Sequence, residues 1–254
     1  MKISRSLLSL NSLRFLFFHN ADKWPKNIYE GIKAGCSVMP NFITEAEEQQ
    51  LLNEIEPYLK RLKYEESHWD DAIRIYRERK LSKWSPKNEA IIKRLLNTFP
   101  SDNPASSSVH ILDLHKDGAI LPHVDSVKYC GEIVSGLSLL SDCVMRLRHV
   151  EKKDELFVDL HLPRLSLYKL RNLGKFLLTF PPHISVETST NEKLNGVGRY
   201  EFMHEVLHED ESYHGMDKGR IVKDRRISLI CRDEPKGEQI AENKVEFKAI
   251  PAHE

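Results

Sequence analysis

The stretch RYEFMHEVLH, residues 199–208, decides which class of fold the chain adopts. As a helix it would present HExxH, in which His204 and His208 bind Zn²⁺ and Glu205 is the general base of a hydrolase. As a strand it would place residues 200, 202, 204 and 206 on one face, which is apolar except for His204. This period of two favours a strand, in which the two histidines lie about 13 Å apart and cannot share one metal ion. The zinc hydrolase stays as an alternative.

Similar strand patterns recur after residue 104. Short segments separated by turn residues show the same rhythm: 109–114, 133–140, 144–149, 156–162, 166–171 and 226–232. Many short strands of this kind are typical of a sandwich or barrel. We therefore expect a single domain of the α+β class that is mainly β.

Two helices are expected upstream of these strands. Thr44 and Glu47 form a capping box at the start of the first helix, and Pro57 should kink or end it. The second helix begins at Ser85, with Pro86 in its first turn. Each helix carries an apolar stripe at helical spacing, so we expect both to pack on one sheet.

Composition excludes several classes of function. The chain has 254 residues, of which 40% are hydrophobic, so it can bury a core. Its 38 basic and 38 acidic residues cancel, which argues against binding nucleic acid mainly through backbone charge. The four cysteines show no CxxC spacing, so neither structural zinc nor a disulfide framework is expected. No run of 18 apolar residues occurs that could span a membrane.

Three segments stand apart from the expected domain, which covers residues 35–235. Residues 1–20 carry three basic residues and no acidic one, which is typical of a mitochondrial transit peptide. Residues 172–198 have no sustained period and interrupt the link between two strands, so we expect a disordered insertion that loops outward. Residues 236–254 are expected to form a flexible tail.

His123 and Asp125 are the first candidate metal ligands. Residues i and i+2 of a strand point to the same side, so one imidazole and one carboxylate converge. A third ligand must come from elsewhere, and His204, alone on its apolar face, is the natural partner. Two histidines and one carboxylate leave three coordination positions open, as in non-haem Fe(II) oxygenases. A core histidine with satisfied hydrogen bonds is the alternative for His204.

The strand at 226–232 carries the second chemical signal. Alternation projects Arg226, Ser228, Ile230 and Arg232 to one face. An inward arginine is costly unless an anion meets it, and a guanidinium binds a carboxylate through two parallel hydrogen bonds. A dicarboxylate cosubstrate would supply that anion. The alternative is an edge strand whose charges face water.

Together these motifs resemble the Fe(II)/2-oxoglutarate-dependent oxygenases of the AlkB family and are most similar to its mitochondrial branch. The matching segments are VHILDL, LPHVDS, VMRL, SLYKLR, RYEFMHEVL and RRISLICR. The resemblance covers about residues 35–235 apart from 172–198. The resemblance implies a double-stranded β-helix, or jelly roll. It also implies that His123, Asp125 and His204 bind Fe(II).

The resemblance further implies an enzyme, a 2-oxoglutarate-dependent dioxygenase that uses 2-oxoglutarate and O₂. Arg226 would hold the distal carboxylate of 2-oxoglutarate. Tyr168 and Leu112 would help to line its pocket, and Arg232 matches the second arginine of the family motif. The mitochondrial branch implies a matrix enzyme linked to fatty-acid metabolism and to programmed necrosis after alkylation damage.

The prime substrate is less closely defined. Nucleic-acid demethylases of this family carry Asn-x-Tyr on the strand before HxD, whereas this chain has His110-Ile111-Leu112 there. The preceding segment 101–108 has no aromatic or basic side chain, so repair of duplex DNA is not expected. A modified mitochondrial RNA and a protein side chain stay open as substrates. A non-enzymatic jelly-roll module that binds the metal or the cosubstrate is the alternative function.

Overall fold

The computed structural model describes residues 13–124, 130–171, 202–208 and 219–234. These ranges contain three α-helices: α1 (Lys26–Gly35), α2 (Glu45–Leu59) and α3 (Pro86–Leu96). They also contain eleven strands: β1 (Leu16–Phe18), β2 (Cys36–Met39), β3 (Glu65–Ser67), β4 (Ile73–Leu81), β5 (Val109–His123), β6 (Ile133–Leu139), β7 (Cys143–His149), β8 (Phe157–Leu162), β9 (Leu167–Arg171), β10 (Phe202–Val206) and β11 (Arg226–Arg232). The predicted α+β, mainly β composition is confirmed, with three helices instead of two.

All the strands join one antiparallel sheet that curls around β5. The order is β1-β8-β7-β10-β5-β11-β6-β9-β2, with β4 along the other edge of β5 and β3 beyond β4. The first part of β5 pairs with β11 from His110 to Leu114, whereas its end pairs with β10 at Ile120 and His123. Strand β5 therefore connects two layers, one ending in β10 and one beginning with β11. This is the double-stranded β-helix that the family resemblance implies.

Two hydrophobic cores lie on opposite faces of the sheet. The inner core fills the space between the two layers, with Met145 from one layer and Tyr168 and Ile230 from the other. The outer core packs α2 and α3 against the back of the β11 layer. By alternation Arg226 and Ser228, both buried, share the inner face of β11 with Ile230.

Helices α2 and α3 follow their sequence signals closely. The hydroxyl of Thr44 accepts a hydrogen bond from the N–H of Glu47 at 3.2 Å, and the Glu47 carboxylate accepts one from the N–H of Thr44 at 2.9 Å. This is the predicted capping box. Helix α3 begins at Pro86, with Ser85, the predicted first residue, as its N-cap residue. Pro57 does not end α2, which runs on to Leu59; the proline removes only its own N–H bond to the preceding turn.

Residues 13–20 form part of the fold, although the sequence assigns them to a transit peptide. Strand β1 pairs with β8, with Leu16 opposite Leu160. Phe15 is buried in the inner core. The described part of segment 1–20 thus closes one edge of the sheet, and the rest of that segment lies outside the described residues. Helix α1, which the sequence does not predict, follows this edge.

The insertion predicted at 172–198 and the tail predicted at 236–254 lie outside the described residues. The strands on either side of the insertion are both paired. Strand β9 pairs with β6 and β2, and β10 pairs with β5 and β7. Both flanking strands therefore keep their places in the sheet.

All four cysteines are free and buried. Burial raises the pKa of the Cys36 and Cys231 thiols to about 12, so both stay protonated at neutral pH. Among the described residues, no helix is long and apolar enough to cross a bilayer.

Asp159 of β8 is a buried charge at the edge closed by β1. Its carboxylate accepts hydrogen bonds from Arg146 at 2.6 and 2.9 Å and lies 2.8 Å from Nε2 of His19. Burial raises the pKa of Asp159, but the hydrogen bonds from Arg146 and His19 outweigh burial and hold the pKa below its ordinary value. The ionised carboxylate therefore stabilises the folded state.

We predict that Asp159→Asn lowers the free energy of unfolding by about 1–3 kcal/mol at neutral pH, because hydrogen bonds to a buried charge are weakened. The folded-state pKa is depressed, so the wild type has this contribution in full above about pH 4 and loses it as the pH falls through the folded pKa. Urea unfolding at several pH values measures the difference. Asp154→Asn, in the exposed turn before β8, is the control. A difference that does not shrink in acid would contradict this assignment.

Candidate metal and cosubstrate site

A β-bulge near the end of β5 directs His123 into the inner core. Val206 of β10 lies opposite Ile120, but His204 lies opposite His123, so β5 has one extra residue between the two pairs. Pro122 lies between Ile120 and His123, and a proline has no N–H to hydrogen-bond to the neighbouring strand. The extra residue breaks the alternation, so Ile120 and His123 face the same side.

The two histidines meet across β5 and β10. Their ring centroids are 4.1 Å apart, the ring planes are inclined by 52°, and both residues are half-buried. Nδ1 of His123 lies 2.8 Å from the carbonyl oxygen of Leu121. A carbonyl oxygen only accepts, so Nδ1 is the donor and carries the proton. This leaves the Nε2 lone pair of His123 to bind a metal.

Asp125 lies outside the described residues, which stop at Val124 and resume at Cys130. Within the described ranges, no group of three His, Cys, Asp or Glu side chains could hold a metal ion. The described chain therefore brings together two of the three predicted ligands. Two imidazoles and a nearby carboxylate would be the donor set of a 2-His-1-carboxylate iron centre, which fits Fe(II) with open positions.

The HExxH motif is not helical. Residues Phe202–Val206 form β10, so His204 and Glu205 point to opposite faces, as the strand interpretation predicts. Glu205 is buried on the outer face, where its carboxylate accepts a hydrogen bond from Arg148. His208 is exposed after the strand ends, and His214 lies outside the described residues. This geometry contradicts the helical zinc site that the hydrolase alternative needs.

Arg226 is a buried cation that has an unused hydrogen-bond donor among the described contacts. It is 2% exposed, and its Nη2 donates to the hydroxyl of Ser138 at 2.9 Å. Its Nε and the hydroxyl of Ser228 are buried and have no hydrogen-bond partner among the described residues. Burying a guanidinium in this way is costly unless an anion meets it. The donor set therefore fits one carboxylate of a dicarboxylate ligand.

Tyr168 and Leu112 share the inner face with Arg226. Tyr168 of β9 lies opposite Gly136 of β6, and Leu112 of β5 lies opposite Ser228 of β11. A Cβ on Gly136 would lie 2.3 Å from Cε1 of Tyr168, so only glycine lets the ring lie over the strand. These adjacent strands thus combine a buried cation, hydroxyl groups and apolar side chains on one surface.

Arg232 lies at the far end of the same face of β11. Its Nη1 is 3.4 Å from Nδ1 of His110, and Nε2 of His110 is 2.6 Å from a carboxylate oxygen of Glu78. The sequence pattern indicates Arg232 but not Glu78, because it does not predict β4. Charged residues interrupt the apolar alternation in that strand, and the available signal was the β-forming run Ile73-Arg74-Ile75-Tyr76.

Two curated relatives match most of the chain. Alpha-ketoglutarate-dependent dioxygenase alkB homolog 7, mitochondrial, of Bos taurus is 42% identical over 201 residues, which are 79% of this chain and 79% of that protein. The protein of the same name from Mus musculus is 40% identical over 201 residues, with the same coverage of both chains. No protein-family model matches the chain.

Two solved structures are also similar. A prolyl hydroxylase from Trichoplax adhaerens, solved with a hypoxia inducible factor oxygen degradation domain peptide, has a TM-score of 0.48 and 9% identity and covers 86% of this chain and 95% of its own. A prolyl-4-hydroxylase from Pseudomonas putida has a TM-score of 0.48 and 11% identity and covers 83% of this chain and 98% of its own.

We predict opposite effects when two adjacent arginines are replaced by methionine. Arg225 donates to the fully buried Asp113 at 2.7 and 2.9 Å and to Glu56 at 2.6 Å. Arg225→Met should therefore lower the free energy of unfolding by about 2–4 kcal/mol, because it removes one partner from a buried ion pair. Arg226→Met should leave it unchanged or raise it by about 1 kcal/mol, because it removes a buried charge that meets no anion among the described residues.

Urea unfolding of the ligand-free proteins measures both effects. The two replaced residues are neighbours, with Arg225 directly before β11 and Arg226 its first residue, so each variant is the control for the other. A loss in Arg226→Met as large as that in Arg225→Met would contradict the interpretation of Arg226 as a ligand-binding cation.

Proposed function

The chain belongs to the alpha-ketoglutarate-dependent dioxygenases of the alkB homolog 7 kind, and on this premise we propose that His123, Asp125 and His204 bind Fe(II). The observation that carries the proposal is the contact of the two histidine rings at 4.1 Å across β5 and β10. The hydrogen bond from His123 to the Leu121 carbonyl supports it, because Nδ1 is used as the donor and Nε2 is the nitrogen that can face a metal.

The second part of the proposal assigns the cosubstrate pocket. Arg226 would bind the distal carboxylate of 2-oxoglutarate, using its Nε, which lacks a partner among the described residues, and the Ser228 hydroxyl would add another donor. Tyr168 and Leu112 would form the walls. Arg232 would bind nearer the opening of the pocket.

Bound Fe(II) and 2-oxoglutarate supply the oxidative chemistry, in which O₂ oxidises 2-oxoglutarate to succinate and CO₂ while a substrate C–H bond is hydroxylated. The chain itself supplies orientation. Arg226 would hold the cosubstrate from the buried end, and the apolar walls would exclude water. Leu121 would keep the His123 ring in one tautomer through its carbonyl group.

The proposal includes a location and a cellular role. Both relatives are named mitochondrial, which supports a mitochondrial protein, and we place it in the matrix. Because Phe15 is buried and β1 is paired, a cleavable transit peptide would end before Phe15. The same family relation is the basis for a role in fatty-acid metabolism and in programmed necrosis after alkylation damage.

The proposed prime substrate is a modified mitochondrial RNA or a protein side chain, with duplex DNA set aside. The balance of 38 basic and 38 acidic residues supports setting duplex DNA aside, because tight binding of a duplex uses many uncompensated cations. The rate of succinate release would be measured once with added mitochondrial RNA and once with added matrix protein. The addition that raises the rate identifies the substrate class.

We predict that His204→Ala abolishes Fe(II) binding and that His208→Ala leaves it unchanged. The first side chain faces the inner core beside His123, whereas the second is exposed beyond the strand. Anaerobic calorimetric titration of the metal-free proteins with Fe(II) measures the affinity, and Asp125→Ala should behave like His204→Ala. Loss of binding in His208→Ala with retention in Asp125→Ala would contradict the assignment and favour the hydrolase.

Turnover distinguishes an enzyme from a binding module. The iron-loaded wild type should release succinate from 2-oxoglutarate in the presence of O₂, and His204→Ala should not. A folded wild type that binds both iron and 2-oxoglutarate but never releases succinate, with or without candidate substrates, would contradict the dioxygenase proposal and favour the non-enzymatic module.

We predict that deleting residues 172–198 leaves folding and iron binding intact. The strands on both sides are paired in the sheet, and a long surface loop adds little closure entropy. Thermal unfolding and Fe(II) titration of the deletion variant measure both properties. If the variant folds but no longer binds iron, the segment is needed for the site and the prediction is wrong.

A further inference from the structure

We propose that Glu78 and His110 position the guanidinium of Arg232 so that it contacts the cosubstrate at the open end of the pocket. This inference rests on the proposed function, because it assigns two further residues to the same site. Neither residue is among the ligands and pocket residues assigned above. Both would act through Arg232 as positioning residues.

The three side chains form one continuous chain of contacts. Nε2 of His110 lies 2.6 Å from Oε2 of Glu78, and Nδ1 of His110 lies 3.4 Å from Nη1 of Arg232. A guanidinium can only donate, so Nδ1 is the acceptor toward Arg232. Nε2 must then carry the proton and donate it to the carboxylate. These two contacts hold the imidazole in one orientation between an anion and a cation.

The contacts between Glu78, His110 and Arg232 lie on the same face of the sheet as the proposed pocket. Glu78 of β4 lies opposite Leu112 of β5, and His110 lies two residues before Leu112 on the same face. On the neighbouring strand, Ile230 lies opposite His110, and Arg232 follows two residues later on the same face. The contacts therefore lie on the face that carries Leu112 and lead to Arg232, at the opposite end of β11 from Arg226.

Charge and partial burial make the arrangement specific. The His110 and Glu78 side chains are 15% and 36% exposed. The hydrogen bond from His110 lowers the pKa of Glu78 and outweighs the effect of burial, which raises it, so the carboxylate is ionised at neutral pH. Without Glu78, the His110 ring could place a proton on Nδ1 and turn a donor toward Arg232. The guanidinium would then lose its fixed orientation.

A titration of 2-oxoglutarate into the iron-loaded, full-length protein under anaerobic conditions tests the proposal. We expect Glu78→Ala and His110→Leu each to raise the Kd for 2-oxoglutarate about tenfold, the effect of losing one charge-assisted hydrogen bond. Glu78→Gln keeps an acceptor for Nε2–H and should stay within about twofold of the wild type. Lys83→Ala is the control, because Lys83 is exposed just after the end of β4.

The affinity for Fe(II) separates positioning from general damage. Under the proposal the Kd for Fe(II) is unchanged in Glu78→Ala and His110→Leu, and only the Kd for 2-oxoglutarate rises. Equal weakening of both ligands, or an unchanged Kd for 2-oxoglutarate, overturns the proposal while the proposed function stands. A wild type that binds no 2-oxoglutarate overturns the proposed function itself. If His110→Leu does not fold, the comparison of Glu78→Ala with Glu78→Gln decides.

Discussion

Strand β5 pairs with β11 along its first part and with β10 at its end, and the rest of the site depends on this shared strand. One end of β5 places Leu112 beside the face that carries Arg226. The other end, after the bulge at Pro122, brings His123 against His204. The candidate metal centre and the candidate cosubstrate pocket are therefore held in register by one continuous piece of backbone. A shift of β5 by one residue would turn His123 away from the inner core, because alternate residues face opposite sides.

Several of the described buried carboxylates have arginine partners, whereas the buried Arg226 on the inner face of the sheet has no carboxylate partner among the described residues. The buried carboxylates of Asp113, Glu48 and Asp159 each meet at least one arginine. Arg226, on the inner face, donates instead to a hydroxyl and retains an unused donor among the described contacts. A buried polar group without a partner costs stability, and such costs concentrate at sites that bind ligands. The contrast supports a pocket that is completed by an anionic ligand.

Local sequence pattern was sufficient for the elements whose faces differ in polarity. The alternation in 226–232 predicts β11 and its inner face, and the alternation around His204 predicts β10 instead of a helix. The pattern failed for β1, β3 and β4. Two of these have only three residues, too few to show a period, and β4 carries charges at many positions because it lies near the sheet margin. The HxD spacing alone identifies candidate ligands, but the Glu78–His110–Arg232 contacts depend on the pairing of three strands that are far apart in sequence.

The most direct test of a jointly assembled iron and cosubstrate site is an anaerobic spectroscopic titration. The metal-free wild type would receive Fe(II) and then 2-oxoglutarate, with the visible charge-transfer band of the chelated cosubstrate as the signal. We expect the band in the wild type, no band in His123→Ala, and a band in Arg226→Met only at much higher 2-oxoglutarate concentration. A folded wild type that shows no band, or a band that Arg226→Met leaves unchanged, would contradict the assignment of this pocket.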